Sequence, residues 1–360
     1  MKWHGLFELI LGVRMRCRAG LCMATLALAT VVLFTFGCHQ SSDSQTNGAQ
    51  LGSQVVTPIP FGEKNDGEDY NASGVVPLGD SRFLFCDNHT TDALYELNLT
   101  PDGQKQGRLI RRPLQGLADD SIDDLEAMTL AEENGRQFVF VASSLCLKKA
   151  REYKHEKKTE VPSNGLLRVA INADHGLSAE NMPGFRDWLI QHEPDLATAA
   201  ALIPNDDGLN IEGLAWDRQR HALLFGVRSP VPAGKPLVIP VKVKNLAGAW
   251  TTDNLEILPT IQLLPEPAEG EQGIRSLEYI ESRGAFLVVI GKSVDESKAP
   301  FTLYEWDGQP AGTLRRLPIS FHKKMKPEGM TAGTVGGKPA LLFVDDGGSY
   351  QVVWSDMVHY

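Results

Sequence analysis

The sequence predicts an all-β chain in which one antiparallel meander is repeated around an axis. Three observations lead there. The stretch 210–246 holds a full copy of a pattern: an acidic motif, Asn210-Ile211-Glu212-Gly213-Leu214, then a β-rich run Leu223–Val227 stopping at Arg228, then a third run at Leu237–Ile239. Four further copies of that order can be laid beside it. Polar turns separate the runs, so consecutive strands pair antiparallel. Such repeats build a β-propeller, whose blades each line a central channel with their first strand. Five copies read as five blades, with six as the alternative.

Ahead of the repeats stands a leader. Basic residues up to Arg18 precede an uncharged run of eighteen residues, 19–36, the layout of an export signal or a minimal membrane anchor. Gly37-Cys38 and a Ser-, Gln-, Asn- and Gly-rich stretch to residue 53 follow. Together they resemble a bacterial lipoprotein signal, which implies lipidation at Cys38. A signal anchor and simple secretion are the alternatives. The domains expected are a signal over 1–37, a tether over 38–53 and one propeller over 54–360.

The formal net charge is −10; without residues 1–37 the chain has 31 basic against 44 acidic residues, or −13. Such a surface repels nucleic acid and anionic membranes. Membrane contact is therefore expected only through the leader or its lipid. Past the leader, two cysteines remain, Cys86 and Cys146. Both fall near the ends of second strands in neighbouring repeats, where either a disulfide or two free thiols would fit.

The first repeat runs from Asn71 through Phe83–Cys86 and Ala93–Leu99 to a fourth strand ending at Leu114. The second opens at Asp124-Leu125-Glu126, continues at Phe138–Val141 and returns at Leu166–Ile171. The fourth opens at Ser276-Leu277-Glu278, followed by Phe286–Ile290, Phe301–Trp306 and Leu314–Phe321. The fifth opens at Lys326-Pro327-Glu328-Gly329 and is one strand short, so the run Val55–Phe61 is expected to close it and remove two sheet edges. Two insertions interrupt the second repeat's surroundings. One is the basic run 148–158, KKAREYKHEKK; the other, 184–202, reads as a pair of short helices broken at Pro194.

In this topology the start of a first strand and the end of a second share one face of the ring. Glu126, Glu212, Glu278 and Glu328 are therefore expected around one mouth, with Ser73 in the fifth place. Asp87, Ser143, Arg228, Lys292 and Asp345 are expected beside them. Carboxylates so close raise one another's pKa unless a cation balances them. One solution is calcium on Glu126, Glu212, Glu278 and Glu328 with Asp124 and Asn210. The other is ion pairing with Arg228, Arg275, Lys292 and Lys326, residues that could also bind an anionic ligand, with Asp87 and Asp345 nearby.

The segments NIEGLAW with LLFGVRSPVPAGKPLVI, DLEAM, and GIRSLEYI with FLVVIGKS resemble the bacterial family known as domain of unknown function 3616, and the Glu-Gly motif is distantly similar to phytase-like and gluconolactonase-like propellers. The nearer resemblance implies a propeller and no activity; the distant one implies mouth carboxylates around a divalent metal. Two functions follow as expectations. One is an exported propeller binding a small anionic ligand or an envelope protein at its mouth. The other is a metal-dependent hydrolase of a phosphate ester or lactone. No Gly-x-Ser-x-Gly elbow is present in the sequence, which disfavours a serine hydrolase.

Overall fold

The computed structural model describes residues 54–62, 69–117, 122–148, 161–310 and 313–354. The signal, the tether with Cys38, and the basic run beyond Lys148 lie outside these residues. Among the described residues no helix is long and apolar enough to cross a membrane.

The fold is all-β and propeller-like. The first meander is Ala72–Gly79, Arg82–Asp87, Thr90–Asn98 and Ile110–Gln115. The second is Leu125–Glu133, Arg136–Ser143, Leu166–Ile171 and Leu177–Asn181. The third is Asn210–Asp217, Ala222–Ser229, Leu237–Val243 and Leu255–Ile257. The fourth is Gln272–Ile280, Ala285–Lys292, Thr302–Trp306 and Arg315–Phe321. The fifth is Pro327–Val335, Lys338–Asp345 and Ser349–Trp354. A short parallel pairing of Leu177 and Ser178 with Leu114 and Gln115 joins the outer edges of the first two meanders.

The inner strands lie side by side in one direction, as contacts between neighbours show. Trp216 N donates to Thr129 Oγ1 at 3.0 Å across the second and third meanders. Across the fourth and fifth, Arg275 meets Glu328 and, three residues on, Glu278 meets Thr331. A strand flanked on both faces by neighbouring sheets is shut off from water on both, and every residue of Asn210–Asp217 is buried. An outer strand such as Leu177–Asn181 alternates instead. Buried apolar side chains gather at each junction between consecutive meanders, and again between the fifth and the first.

The expected closing strand divides its work. Ile59–Pro60 pairs antiparallel with Ser349 and Tyr350, supplying the fifth meander's outer strand. Gln54–Val56 instead runs parallel to Ile319–Phe321 on the edge of the fourth. Phe61 then fills the junction of fifth and first meanders, stacking on Phe85 at 5.0 Å and Tyr350 at 5.3 Å.

The insertion after the second meander holds one α-helix, Phe185–His192, rather than the expected pair. Pro194 cannot continue it and disfavours helical backbone at Glu193, so short 3-10 turns follow at Pro194–Leu196 and Ala199–Ala201. Phe185 and Leu189 are buried in the junction of second and third meanders, where Phe185 meets Phe225.

Candidate functional site

Each inner strand breaks register near its start. The breaks fall at Glu126, Glu212, Arg275 and Glu328, and in the first meander across Ser73 and Gly74. A bulge leaves one residue without a partner opposite and re-aims its side chain. The glycine that follows has its own reason: a Cβ on Gly329 would lie 1.9 Å from the Ser73 carbonyl oxygen. Inner strands of neighbouring meanders touch there, which explains the Glu-Gly motif.

The result is a buried ring of Ser73, Glu126, Glu212, Arg275 and Glu328, none more than 7% exposed. Its counter-charge is a guanidinium. Arg275 Nε lies 2.9 Å from Glu212 Oε2, at ion-pair distance without hydrogen-bond alignment, and its Nη2 contacts Glu328 Oε1. Arg228 Nη1 donates to the other Glu212 oxygen at 2.8 Å and its Nε to the Ser293 carbonyl at 2.9 Å. Asn210 Nδ2 adds a 3.2 Å bond to Glu212 Oε1. Burial would lower the Arg228 pKa, but Glu212 outweighs it and holds the group above its ordinary value.

Glu126 is differently placed. Among the described residues no cation pairs with it; Asn88 Nδ2 lies 3.4 Å from its Oε1, and the Ser73 hydroxyl is beside it. Burial pushes its pKa well up, and the Asp124, Glu328 and Glu212 carboxylates push it further. Burial also raises Glu328, against the pull of Arg275. Asp124 itself is paired with Lys148 Nζ at 2.8 Å.

The structure does not bring Glu278 into this ring. Glu278 lies three residues beyond Arg275 on the same strand, roughly 10 Å further along the channel at strand rise. There it accepts from Thr331 Oγ1 at 2.8 Å and Ala332 N at 3.3 Å. It lines a separate cavity of about 270 Å³ with Glu132, Trp216 and Tyr279. Burial raises its pKa to about 7, against those two hydrogen bonds. Among the described residues no three His, Cys, Asp or Glu side chains gather as a metal-ligand group.

Asp87 and Asp345 serve their own hairpins. Asp87 accepts from Asn71 N at 2.9 Å and His89 N at 3.1 Å, and Asp345 from Gly347 N at 2.9 Å and Ser349 N at 3.2 Å. Both are buried and neither lines the cavity described next. Cys86 and Cys146 are buried free thiols, with burial pushing Cys146 up to about 12.

Arg228, Arg275, Lys292 and Lys326 do converge. They line a cavity of about 590 Å³ at the mouth, beside the outer strand of the fourth meander and the segment leading into the fifth. Phe301, Ile319, Phe321 and Met325 supply apolar wall. Six lysines and arginines line it against three acids, Asp295, Glu328 and Asp346. Lys326 Nζ lies 3.2 Å from Asp346, whereas Lys292 has no partner among the described residues. Sequence reasoning missed Asp295, whose segment between the second and third strands has no repeat pattern, and it placed Phe301 and Phe321 on strands without assigning them to the mouth.

No protein-family model matches the chain, and no curated protein matches it. Among solved structures it is similar to a mutant family-43 glycoside hydrolase from Bacillus licheniformis, at 10% identity and TM-score 0.42, over 76% of this chain and 49% of that one. The chain thus spans about half of that protein's length. It is similar to a thermostable family-43 glycoside hydrolase at 12% identity and TM-score 0.44, over 79% of this chain and 88% of that one. It is also similar to the β-propeller domain of Myceliophteria thermophila Cps50, at 11% identity and TM-score 0.33, over 80% and 98%.

Proposed function

We propose that the chain is a five-bladed envelope propeller that binds a small anionic molecule with an apolar face in the cavity beside Arg275. The five inner strands in cyclic order support the blade number, and the leader read from the sequence supports export. One observation carries the binding reading: an acidic chain of net charge −10 gathers six basic side chains against three acids around a single cavity. Such focusing raises the local concentration of anions. Lys292 offers an ammonium that no protein carboxylate occupies among the described residues, and the Phe301 and Phe321 rings would pack a ligand's apolar face.

The test is calorimetry of the full chain in detergent with citrate, D-glucuronate and inorganic phosphate at low and high salt. Binding that weakens with salt and is lost in the Lys292→Ala, Lys326→Ala double variant is expected. No heat from any of the three anions at millimolar concentration, or equal binding by the double variant, would overturn the reading.

A cation is a second, narrower reading, favoured by Glu126. Among the described residues, Asn88 and Asn210 each hold a buried amide oxygen without a hydrogen-bond partner, and Glu126 has no guanidinium of its own. The expected calcium site then contracts to Glu126 with neutral oxygens, since Glu212 and Glu328 are engaged by Arg275. Metal analysis of purified protein, with Glu126→Gln alongside, tests it; equal metal content in both would count against it.

A further inference from the structure

Arg228 is anchored by two of its three nitrogens, Nη1 to the buried Glu212 and Nε to the Ser293 carbonyl. The third, Nη2, meets Asp295 Oδ1 at 3.3 Å. Asp295 is unlike every other acid touching this cluster, because its side chain is 71% exposed. It sits in the segment between Ala285–Lys292 and Thr302–Trp306. Its other oxygen accepts from Asn205 Nδ2 at 2.9 Å, and its backbone N–H reaches Asn205 Oδ1 at 3.4 Å. Asn205 belongs to the 3-10 turn Pro204–Asp206, ahead of the third meander. The Asn205 bond, with Arg228 beside it, holds the carboxyl below its usual range, so it is charged at neutral pH.

Asp295 and Arg228 both line the cavity of about 590 Å³ and also a neighbouring one of about 390 Å³ that contains Lys148 and Asn210. The pair therefore stands where the two cavities meet. An exposed ion pair contributes little to stability, since water competes for both partners. Its rupture leaves Arg228 fixed by its two buried contacts. One planar carboxylate is thus met by an Arg228 guanidinium nitrogen and an Asn205 amide N–H, one donor for each oxygen.

We infer that the Asp295 carboxylate is an internal occupant of the anion site, and that a ligand carboxylate replaces it between Arg228 and Asn205. This rests on the anion-binding reading above and adds the ligand class, a small carboxylic acid, and the residue that competes with it. The geometry also explains why an acid sits at the lip of a basic cavity: it keeps the site neutralised until a ligand arrives.

The test is calorimetric titration of D-glucuronate and inorganic phosphate into the full chain and its Asp295→Asn variant. Asp346→Asn serves as control, removing the same charge from another part of the lining. Glucuronate should bind Asp295→Asn about fivefold tighter than the parent, the scale of one exposed pair, with a smaller gain for phosphate and for Asp346→Asn. Unchanged or weaker glucuronate binding by Asp295→Asn, or an equal gain in Asp346→Asn, would overturn the inference and leave anion binding standing. Failure of the parent and of Asp295→Asn to bind either anion would instead remove the anion-binding reading itself.

Discussion

The two ends of the central channel bury carboxylates in different ways. At the mouth, Glu212 and Glu328 share Arg275, and Arg228 adds a second cation. Three residues along the strand from Arg275, Glu278 has no cation partner among the described residues; a hydroxyl and a backbone N–H hold it, and burial raises its pKa to about 7. Around Glu212 the charge is met by guanidinium, whereas Glu278 keeps its proton to higher pH than a free carboxyl. A buried charge must be paired or discharged, and the same residue type takes either route according to which side chain the adjacent strand supplies. Stability around Glu212 should therefore depend on arginine, and the contribution of Glu278 on pH.

The largest effect should follow removal of Arg275. Arg275→Ala leaves Glu328 and one oxygen of Glu212 buried without their shared cation, a loss of about 3–5 kcal/mol. Adding Glu328→Gln should recover part of it, because one of the stranded charges is gone. Denaturant melts of the parent and both variants read the difference. An Arg275→Ala protein as stable as the parent would mean that the ring is not held by ion pairing.

Next in size is Glu278→Gln. A carboxyl whose folded pKa lies above its unfolded value holds its proton longer in the folded state. Its contribution to stability therefore falls as pH rises from about 4.5 to about 7 and is level above that. Gln keeps an oxygen for Thr331 and Ala332 and has no proton to lose. Relative to the parent, Glu278→Gln should be near parity at pH 4 and more stable by up to about 3 kcal/mol at pH 8. Glu126 and Glu328 titrate in both proteins and cancel in the comparison. Parallel stability profiles across that range would sink the claim.

Arg228→Ala should cost less than Arg275→Ala, about 1.5–3 kcal/mol, the scale of hydrogen bonds to a charged group. Glu212 keeps Arg275 and Asn210 when Arg228 is gone. From sequence, Arg228 is the natural partner of Glu212, since it ends the neighbouring strand. The structure shows it sharing that work with a residue on the inner strand of the next meander. An Arg228→Ala loss larger than that of Arg275→Ala would reverse the ranking.

The error over Glu278 shows what was legible and what was not. Repeat order, strand positions and the basic side chains at the mouth could be read, because alternation and turns are local. Register could not be read from Leu-Glu alone. The bulge positions sit in Ala-Ser-Gly-Val, Leu-Glu-Ala-Met, Ile-Glu-Gly-Leu, Ile-Arg-Ser-Leu and Pro-Glu-Gly-Met. The shared signal is a small residue followed by a branched or long apolar one, imposed by close approach of inner strands. Aligning on acidity instead moved the fourth repeat by three residues, so Arg275 was expected as a partner of the ring and not as its fourth member. Closure by Val55–Phe61 was legible as a need for an outer strand. Its division between two meanders depends on pairing Gln54 with Ile319 and Ile59 with Tyr350, at the far end of the sequence, which local pattern does not carry.

The smallest stability effect should belong to Lys292, and for that reason it separates scaffold from site most cleanly. It ends Ala285–Lys292, the second strand of the fourth meander, opposite Gln272, and its backbone pairing does not need its side chain. The ammonium has no carboxylate within ion-pair distance among the described residues, while Arg228 and Arg275 are both engaged by buried acids. Truncation to Ala leaves no charge stranded and no cavity in the core, so melts should agree with the parent within about 0.5 kcal/mol. Binding of D-glucuronate should nevertheless weaken, and the salt dependence of that binding should become shallower, since one attracting charge has been removed from the wall. Loss of stability in Lys292→Ala would place this lysine with the ring of ion pairs. Unchanged binding would remove it from the site, leaving Arg228 with Lys326 and Lys323 as the cations that meet the ligand.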